Sequence, residues 1–183
     1  MTRIEEQNVT PLHPDAPRTV EIVLRGGVLA ISCVISYWLI THILAYAYSI
    51  SRDDDLLGGM WAVVATIFVY RYSHAESVHA ALSRMAATSV SFALCLVYLL
   101  IFPFHLWGMA MLIGIAAIVV TLMGRADDTI TTGITIAVVM VVAALSPHNA
   151  WRQPILRVVD TAVGVAVGVV AAWVSARFTL VKP

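Results

Sequence analysis

Residues 85–124 read MAATSVSFALCLVYLLIFPFHLWGMAMLIGIAAIVVTLMG, a stretch without one Asp, Glu, Lys or Arg. A second uncharged run covers 129–151. A soluble domain carries about a quarter charged residues, so runs of this length cannot form a water-facing surface, and the solvent they require is a bilayer. The whole chain agrees: 183 residues, 60% hydrophobic and 12% charged. Its 11 basic residues balance 11 acidic ones, which excludes a nucleic-acid binder. A soluble enzyme and a disulfide-stapled secreted module are excluded by the same composition. Cys33 and Cys95 fall mid-span and read as small packing residues rather than as a bridge or a metal site.

Working outward from that stretch, the sequence predicts an all-α membrane domain of six helical spans over residues 21–178. The spans run over about 21–48, 58–70, 85–102, 106–123, 129–146 and 154–178. Residues 1–20 read as a soluble tail and 179–183 as a C-terminal stub. SRDDDLLGG reads as a charged loop, and the polar RYSHAESVHAALSR as an extension of the second helix past the membrane surface. The apolar part of the second span has only 13 residues, about 20 Å as a helix against about 30 Å of hydrocarbon. Counting Lys and Arg near span ends gives eight on the side of the termini (Arg3, Arg18, Arg25, Arg71, Arg84, Arg125, Arg177, Lys182) and three opposite (Arg52, Arg152, Arg157). That bias places both termini in the cytoplasm, in an inner membrane.

At an offset of 73 residues, Arg84-x-x-x-Thr88-x-x-Ser91-x-x-x-Cys95 lies over Arg157-x-x-x-Thr161-x-x-Gly164-x-x-x-Gly168. The same offset superposes spans 1, 2 and 3 on spans 4, 5 and 6. Units of three spans must cross in opposite senses, so the expectation is an inverted repeat, 21–102 and 105–178, of the kind transporters use. The competing explanation is that any two apolar helices with an interfacial Arg align this well. Small side chains one turn apart allow close helix approach in lipid, making spans 3 and 6 expected contact helices, within a subunit or across a dimer.

The block GGMWAVVATIFVYRYSHAESVHAALSRMAATSVSFAL resembles the fusaric-acid-resistance (FUSC-like, aromatic acid exporter) membrane domains. Those have a Trp-Ala opening a short second span, a polar stretch, and an Arg leading a small-residue helix. The matching positions are Trp61, Ala62, Thr66, Arg84, Thr88 and Ser91. The closing block ILRVVDTAVGVAVGVVAAW, with Arg157, Thr161, Gly164 and Gly168, resembles the family's last span. The chain departs from the family where Ala87-Thr88 follows the Arg in place of Gly-Thr, and it lacks the second membrane domain and large cytoplasmic domain of many members. The resemblance implies export of aromatic or other organic acids. Similarity to the related plant aluminium-activated malate transporters implies an anion-conducting dimer, and a lone six-span unit fits a homodimer or higher homo-oligomer.

Ionisable groups within a span are costly, about 2.5–3.5 kcal/mol at the centre, and each invites a function. Arg25, Arg71, Arg84 and Arg157 are candidate contacts for an anion, because a guanidinium matches a carboxylate with two parallel donors. Each is also close enough to an interface to snorkel there and set topology. Asp160, one turn after Arg157, reads as its intrahelical partner or as a proton-coupling carboxylate. Asp127 and Asp128 suit the start of the fifth helix as caps. The short second and fifth spans, at corresponding places in the two units, point to a central binding region lined by Trp61, Thr66 and the hydroxyls at Thr129, Thr131, Thr132 and Thr135, with Thr88 and Thr161 on the Arg helices. Trp61 reads alternatively as an interfacial anchor. His74 and His79 match an H-x4-H box only superficially; no metal, cofactor or catalytic set is expected. The leading expectation is therefore a transporter or channel subunit for small organic anions. Its rival is a non-transporting scaffold that binds partners through small-residue helix faces.

Overall fold

The computed structural model describes residues 19–44, 46, 52–71, 73–145 and 150–180. Most of the expected tail, with Arg3 and Arg18, the turn at 147–149, and the stub residues 181–183 with Lys182 lie outside the described residues. The described chain is helical: α1 (Thr19–Trp38), continued by a π-helical segment (Leu39–Leu44), α2 (Arg52–Val69), α3 (His74–Ile101), α4 (Leu106–Leu122), a 3-10 turn (Ala126–Asp128), α5 (Thr129–Leu145) and α6 (Arg152–Leu180). Four helical stretches, Ile22–Leu44, His74–Ile101, Ala126–Leu145 and Arg152–Arg177, are long and apolar enough to cross a membrane. α4 is a shorter apolar helix of 17 residues, about 26 Å.

Two expected boundaries are corrected. The acidic stretch after residue 51 is not a loop: Arg52 opens α2, and Asp53, Asp54 and Asp55 occupy its first turn. Carboxylates there meet unsatisfied N–H groups and the positive end of the helix dipole, so the charges start the helix instead of interrupting it. Nor does α2 run on past the membrane surface. It stops at Val69, and the polar HAESVHAALSR forms the first turns of α3. Ser77 makes the corner: its Oγ accepts the Arg71 N–H at 3.0 Å and donates to the Ser73 carbonyl at 3.1 Å. The other ends carry conventional signals. α3 ends at Phe102, held extended (φ −126°, ψ 142°) by the proline that follows. α4 ends in a Schellman turn, with Gly124 at φ +74° and bonds from Gly124 N to Thr121 O and Arg125 N to Val120 O.

α6 packs most extensively on α2 and α3, α1 lies on α2 and α6, and α4 lies on α5 and α3. Two clusters result. Ala65 and Val69 of α2, Ala81 of α3 and Val165 of α6 form one, while Cys95 of α3, Leu112 and Ala116 of α4, and Ile136, Val139 and Met140 of α5 form the other. The outward faces of α1 and α4 remain apolar, with Val23, Ile31, Val34, Trp107 and Leu122 exposed, as a lipid-facing surface requires. At the two ends of α6, Arg152 lies over Trp151, the residue just before the helix, and Arg177 lies over Trp173. The two indoles are about 33 Å apart along the helix, the spacing of the two aromatic belts of a bilayer.

The expected close approach of spans 3 and 6 is present, but their small residues face elsewhere. A Cβ on Gly164 would lie 2.2 Å from the Ala62 carbonyl oxygen, and one on Gly168 would lie 3.0 Å from that of Thr66. The glycines of α6 therefore seat α2. On α3, Ser91 donates to the Thr132 carbonyl at 3.2 Å and Cys95 packs into the α4–α5 cluster, so its small residues seat α5.

Candidate functional site

α2, α3 and α6 bring the polar residues of the apolar spans to the middle of the bundle. Trp61 sits at their junction, 3% exposed. Its indole Nε1 donates to Thr161 Oγ1 at 3.1 Å, and its ring faces the Arg84 guanidinium with 5.4 Å to the centroid. An interfacial anchor keeps one edge in the headgroups, whereas this indole is enclosed by protein. Thr66, one turn on, bonds Ser36 Oγ at 2.6 Å and donates to the Gly164 carbonyl at 3.0 Å, tying α1, α2 and α6 together.

Arg84 is 4% exposed and lies against two rings, Trp61 and Phe68, the latter with 4.9 Å to the centroid. Among the described residues no carboxylate pairs with it, and its Nε and Nη2 have no hydrogen-bond partner. These two nitrogens form one edge of the guanidinium, the edge that takes a carboxylate with two parallel bonds. Ring faces stabilise the charge without using those donors. A buried donor left unmade costs about 1–3 kcal/mol, so structure alone gives no reason for an arginine here. Snorkelling fails as the explanation, since the head is enclosed by protein. Thr88, one turn further along α3, is buried with its Oγ1 also unpartnered.

Arg84 borders a pocket of about 510 Å³ at the end of the bundle where α2 passes to α3 and α4 to α5. Arg71, Glu76, His79 and Asp127 stand exposed around it, with Ser83, Asp128 and Thr131 on its wall. Asp128 is engaged: Arg125 Nε reaches its Oδ2 at 2.7 Å, and Ser83 Oγ donates to its Oδ1. The expected capping role thus gives way to an ion pair that braces the 3-10 turn against α3. Asp128 is matched by Arg125 and Glu76 is offset by Arg71, while Asp127 stands exposed at the rim. Arg84, at the pocket's inner end, has no ion-pair partner among the described residues.

The second arginine is arranged differently. Arg157 is 1% exposed, and its Nη1 lies 3.2 Å from Asp160 Oδ2, the intrahelical pair its spacing predicts. The contact lacks hydrogen-bond geometry: Arg157 Nε, Nη1 and Nη2, Asp160 Oδ2 and Gln153 Oε1 are all without a hydrogen-bond partner among the described residues. Gln153 Nε2 donates to Asp54 Oδ1 at 2.9 Å, which ties the start of α2 to the turn of α6 that precedes Arg157. This cluster lies at the opposite end from the pocket, where α1 passes to α2 and α5 to α6.

Arg25 and Arg71 are not drawn into either cluster's core. Arg25 is half-buried on α1, its carbonyl accepting a 3.3 Å bond from Tyr70 Oη, while Arg71 is exposed at the pocket rim. Thr132 is buried but spends its hydroxyl on the Asp128 carbonyl at 2.9 Å, as Thr161 does on that of Arg157 at 2.7 Å. Among the described residues no cluster of three or more His, Cys, Asp or Glu could hold a metal.

Residues 31–171 match the model of the fusaric acid resistance protein-like family. The chain belongs to that family. No curated protein and no solved structure matches it. As a fusaric acid resistance protein-like chain it is a multi-pass membrane protein, and membership points to transport or resistance rather than to catalysis. Its sequence also carried a signal that the motif reading passed over. Arg52-x-Asp54-Asp55 and Arg125-x-Asp127-Asp128 stand 73 residues apart, the same offset that relates Arg84 to Arg157. Ser83 and Gln153, which hold the carboxylates of these two blocks, bear no motif and needed the structure.

Proposed function

We propose that this protein is a homo-oligomeric transporter or channel subunit that moves small organic anions, aromatic monocarboxylates among them, across the inner membrane. In this reading six spans form two inverted three-helix units and both termini are cytoplasmic. The pocket then opens to the cytoplasm. The observation that carries the reading is the Nε/Nη2 edge of Arg84, buried, without a hydrogen-bond or ion-pair partner among the described residues, and backed by two aromatic rings beside a pocket. Burial makes a charge–charge contact strong, and the uncommitted fork selects a planar carboxylate over a spherical anion. Trp61 and Phe68 offer apolar faces to the body of the solute. The edge is enclosed, so a solute reaches it only when α2 and α3 part slightly, a step that suits a gated path better than an open pore.

The packing supports the two-unit architecture. Exchanging α1, α2 and α3 with α4, α5 and α6 leaves the pattern of helix neighbours unchanged: α1 on α2 corresponds to α4 on α5, and α3 on α5 to α6 on α2. The test is flux of benzoate into liposomes holding the purified protein. Arg84→Gln should lower it at least tenfold, about 1.4 kcal/mol of lost solute stabilisation. Arg84→Lys should restore only part, because an ammonium keeps the charge but not the fork. A parent protein without flux, or an Arg84→Gln variant with full flux, refutes the proposal and leaves a scaffold role.

A further inference from the structure

We propose that Arg157 is a second carboxylate station at the end of the bundle opposite the Arg84 pocket, and that Asp160 now stands at it in place of a solute, locking that side shut. The inference rests on the transport reading above and adds a closed counterpart to its open side.

The two arginines occupy equivalent places. Adding 73 to the buried positions of α3 from Ala81 onward, Ala81, Arg84, Ala87, Thr88, Ser91 and Cys95, gives Pro154, Arg157, Asp160, Thr161, Gly164 and Gly168 of α6, every one of them buried. The acidic blocks follow the same rule: Asp127 and Asp128 border the Arg84 pocket, and Asp54, the counterpart of Asp127, is held by Gln153, one turn before Arg157. One difference stands out at this depth. Where α3 has Ala87, three residues after its arginine, α6 has Asp160. The carboxylate that Arg84 lacks is thus built into the chain beside Arg157.

The built-in partner fits loosely. Its 3.2 Å approach to Nη1 makes no aligned hydrogen bond, and among the described residues all three guanidinium nitrogens and Gln153 Oε1 are without a hydrogen-bond partner. A buried ion pair without satisfying hydrogen bonds does not repay its desolvation, so such a pair is poor as a structural device. It is well suited to exchange, because an incoming carboxylate that makes two aligned bonds displaces it readily. Gly58 leaves the space Asp160 occupies: a Cβ there would lie 2.9 Å from its Oδ1, so the lock closes against the backbone of α2. A helix from each unit meets at this contact, α2 from one and α6 from the other, which is where relative movement of the units would break or remake it.

Thiol labelling tests this in a background with Cys33→Ser and Cys95→Ala. Thr131→Cys reports the Arg84 pocket, and Thr161→Cys reports the depth one turn inside Arg157. A membrane-impermeant maleimide is applied to each face of liposomes with oriented protein. Thr131→Cys should label from its own face, with Thr161→Cys at least tenfold slower from the other. Adding Asp160→Asn should raise Thr161→Cys labelling at least tenfold, and millimolar benzoate should slow it again. Asp54→Asn, which removes the carboxylate that Gln153 holds from a different helix, should act in the same direction more weakly and stands in if Asp160→Asn fails to fold. Thr161→Cys labelling already fast in the parent, or unchanged by either substitution, overturns the lock. The switch needs no net flux, so a working switch with an immobile solute counts against the transport reading alone, and working flux without a switch counts against the lock alone.

Discussion

Gly164→Ala tests whether the α2–α6 seam sets the geometry of the site. The added methyl would lie 2.2 Å from the Ala62 carbonyl oxygen and 2.8 Å from the Ala65 Cβ. Carbon atoms in contact prefer about 3.5–4.0 Å, so the two helices must separate by about 1 Å at that level. Overpacking of this kind costs about 1–3 kcal/mol. Two interhelical hydrogen bonds share the seam, Thr66 to the Gly164 carbonyl at 3.0 Å and Trp61 to Thr161 at 3.1 Å, and each is worth about 0.6 kcal/mol in a bilayer. The expected loss is about 2–4 kcal/mol. Gly168→Ala is the matched control: its nearest approach, 3.0 Å to the Thr66 carbonyl, needs a shift of a few tenths of an ångström and should cost about 1 kcal/mol or less. Steric-trap unfolding in bicelles reads both. A Gly164→Ala protein as stable as the parent, or a Gly168→Ala protein less stable than Gly164→Ala, would refute the claim that backbone contact holds this seam.

Thr88→Val removes a buried hydroxyl without a partner, so thermal unfolding should show unchanged or slightly higher stability, by up to about 1 kcal/mol, while benzoate flux falls if that hydroxyl meets the solute. A marked loss of stability would expose a partner the geometry does not contain. Trp61→Phe keeps an aromatic face for Arg84 but deletes the donor to Thr161, and should cost about 0.5–1.5 kcal/mol with flux reduced less than by Arg84→Gln. Flux lower than in Arg84→Gln would make the indole N–H, rather than the ring face, the important feature.

The later helices were readable because their ends bear residues that act locally. Pro103 disfavours a helical conformation in the residue before it, Gly124 takes the left-handed conformation, and uncharged runs fill the lengths between. The corner after Val69 was hidden because it contains neither glycine nor proline; a side-chain bond from Ser77, six residues beyond Arg71, makes it. The start of α2 was misread for a related reason, since Asp53 to Asp55 look like solvated loop unless their position in a first turn is known. Arg84 and Arg157 were found by chemistry, because guanidinium in an apolar span has few uses. What separates them, one head unpaired and the other beside Asp160, depends on which helices enclose each, and spacing along one strand of sequence does not carry that.

The two indole–guanidinium pairs at the ends of α6, at Trp151 and Trp173, restrict how this molecule can cycle. Each pair is suited to a headgroup layer, and with one pair in each layer, sliding α6 vertically would drag one of them into hydrocarbon. Piston or elevator strokes are thereby disfavoured for the helix that touches most of the others, and it serves as a fixed mast. Changes of access must then come from its neighbours tilting or turning about it, with travel of a few ångströms at the arginines rather than a full helical turn.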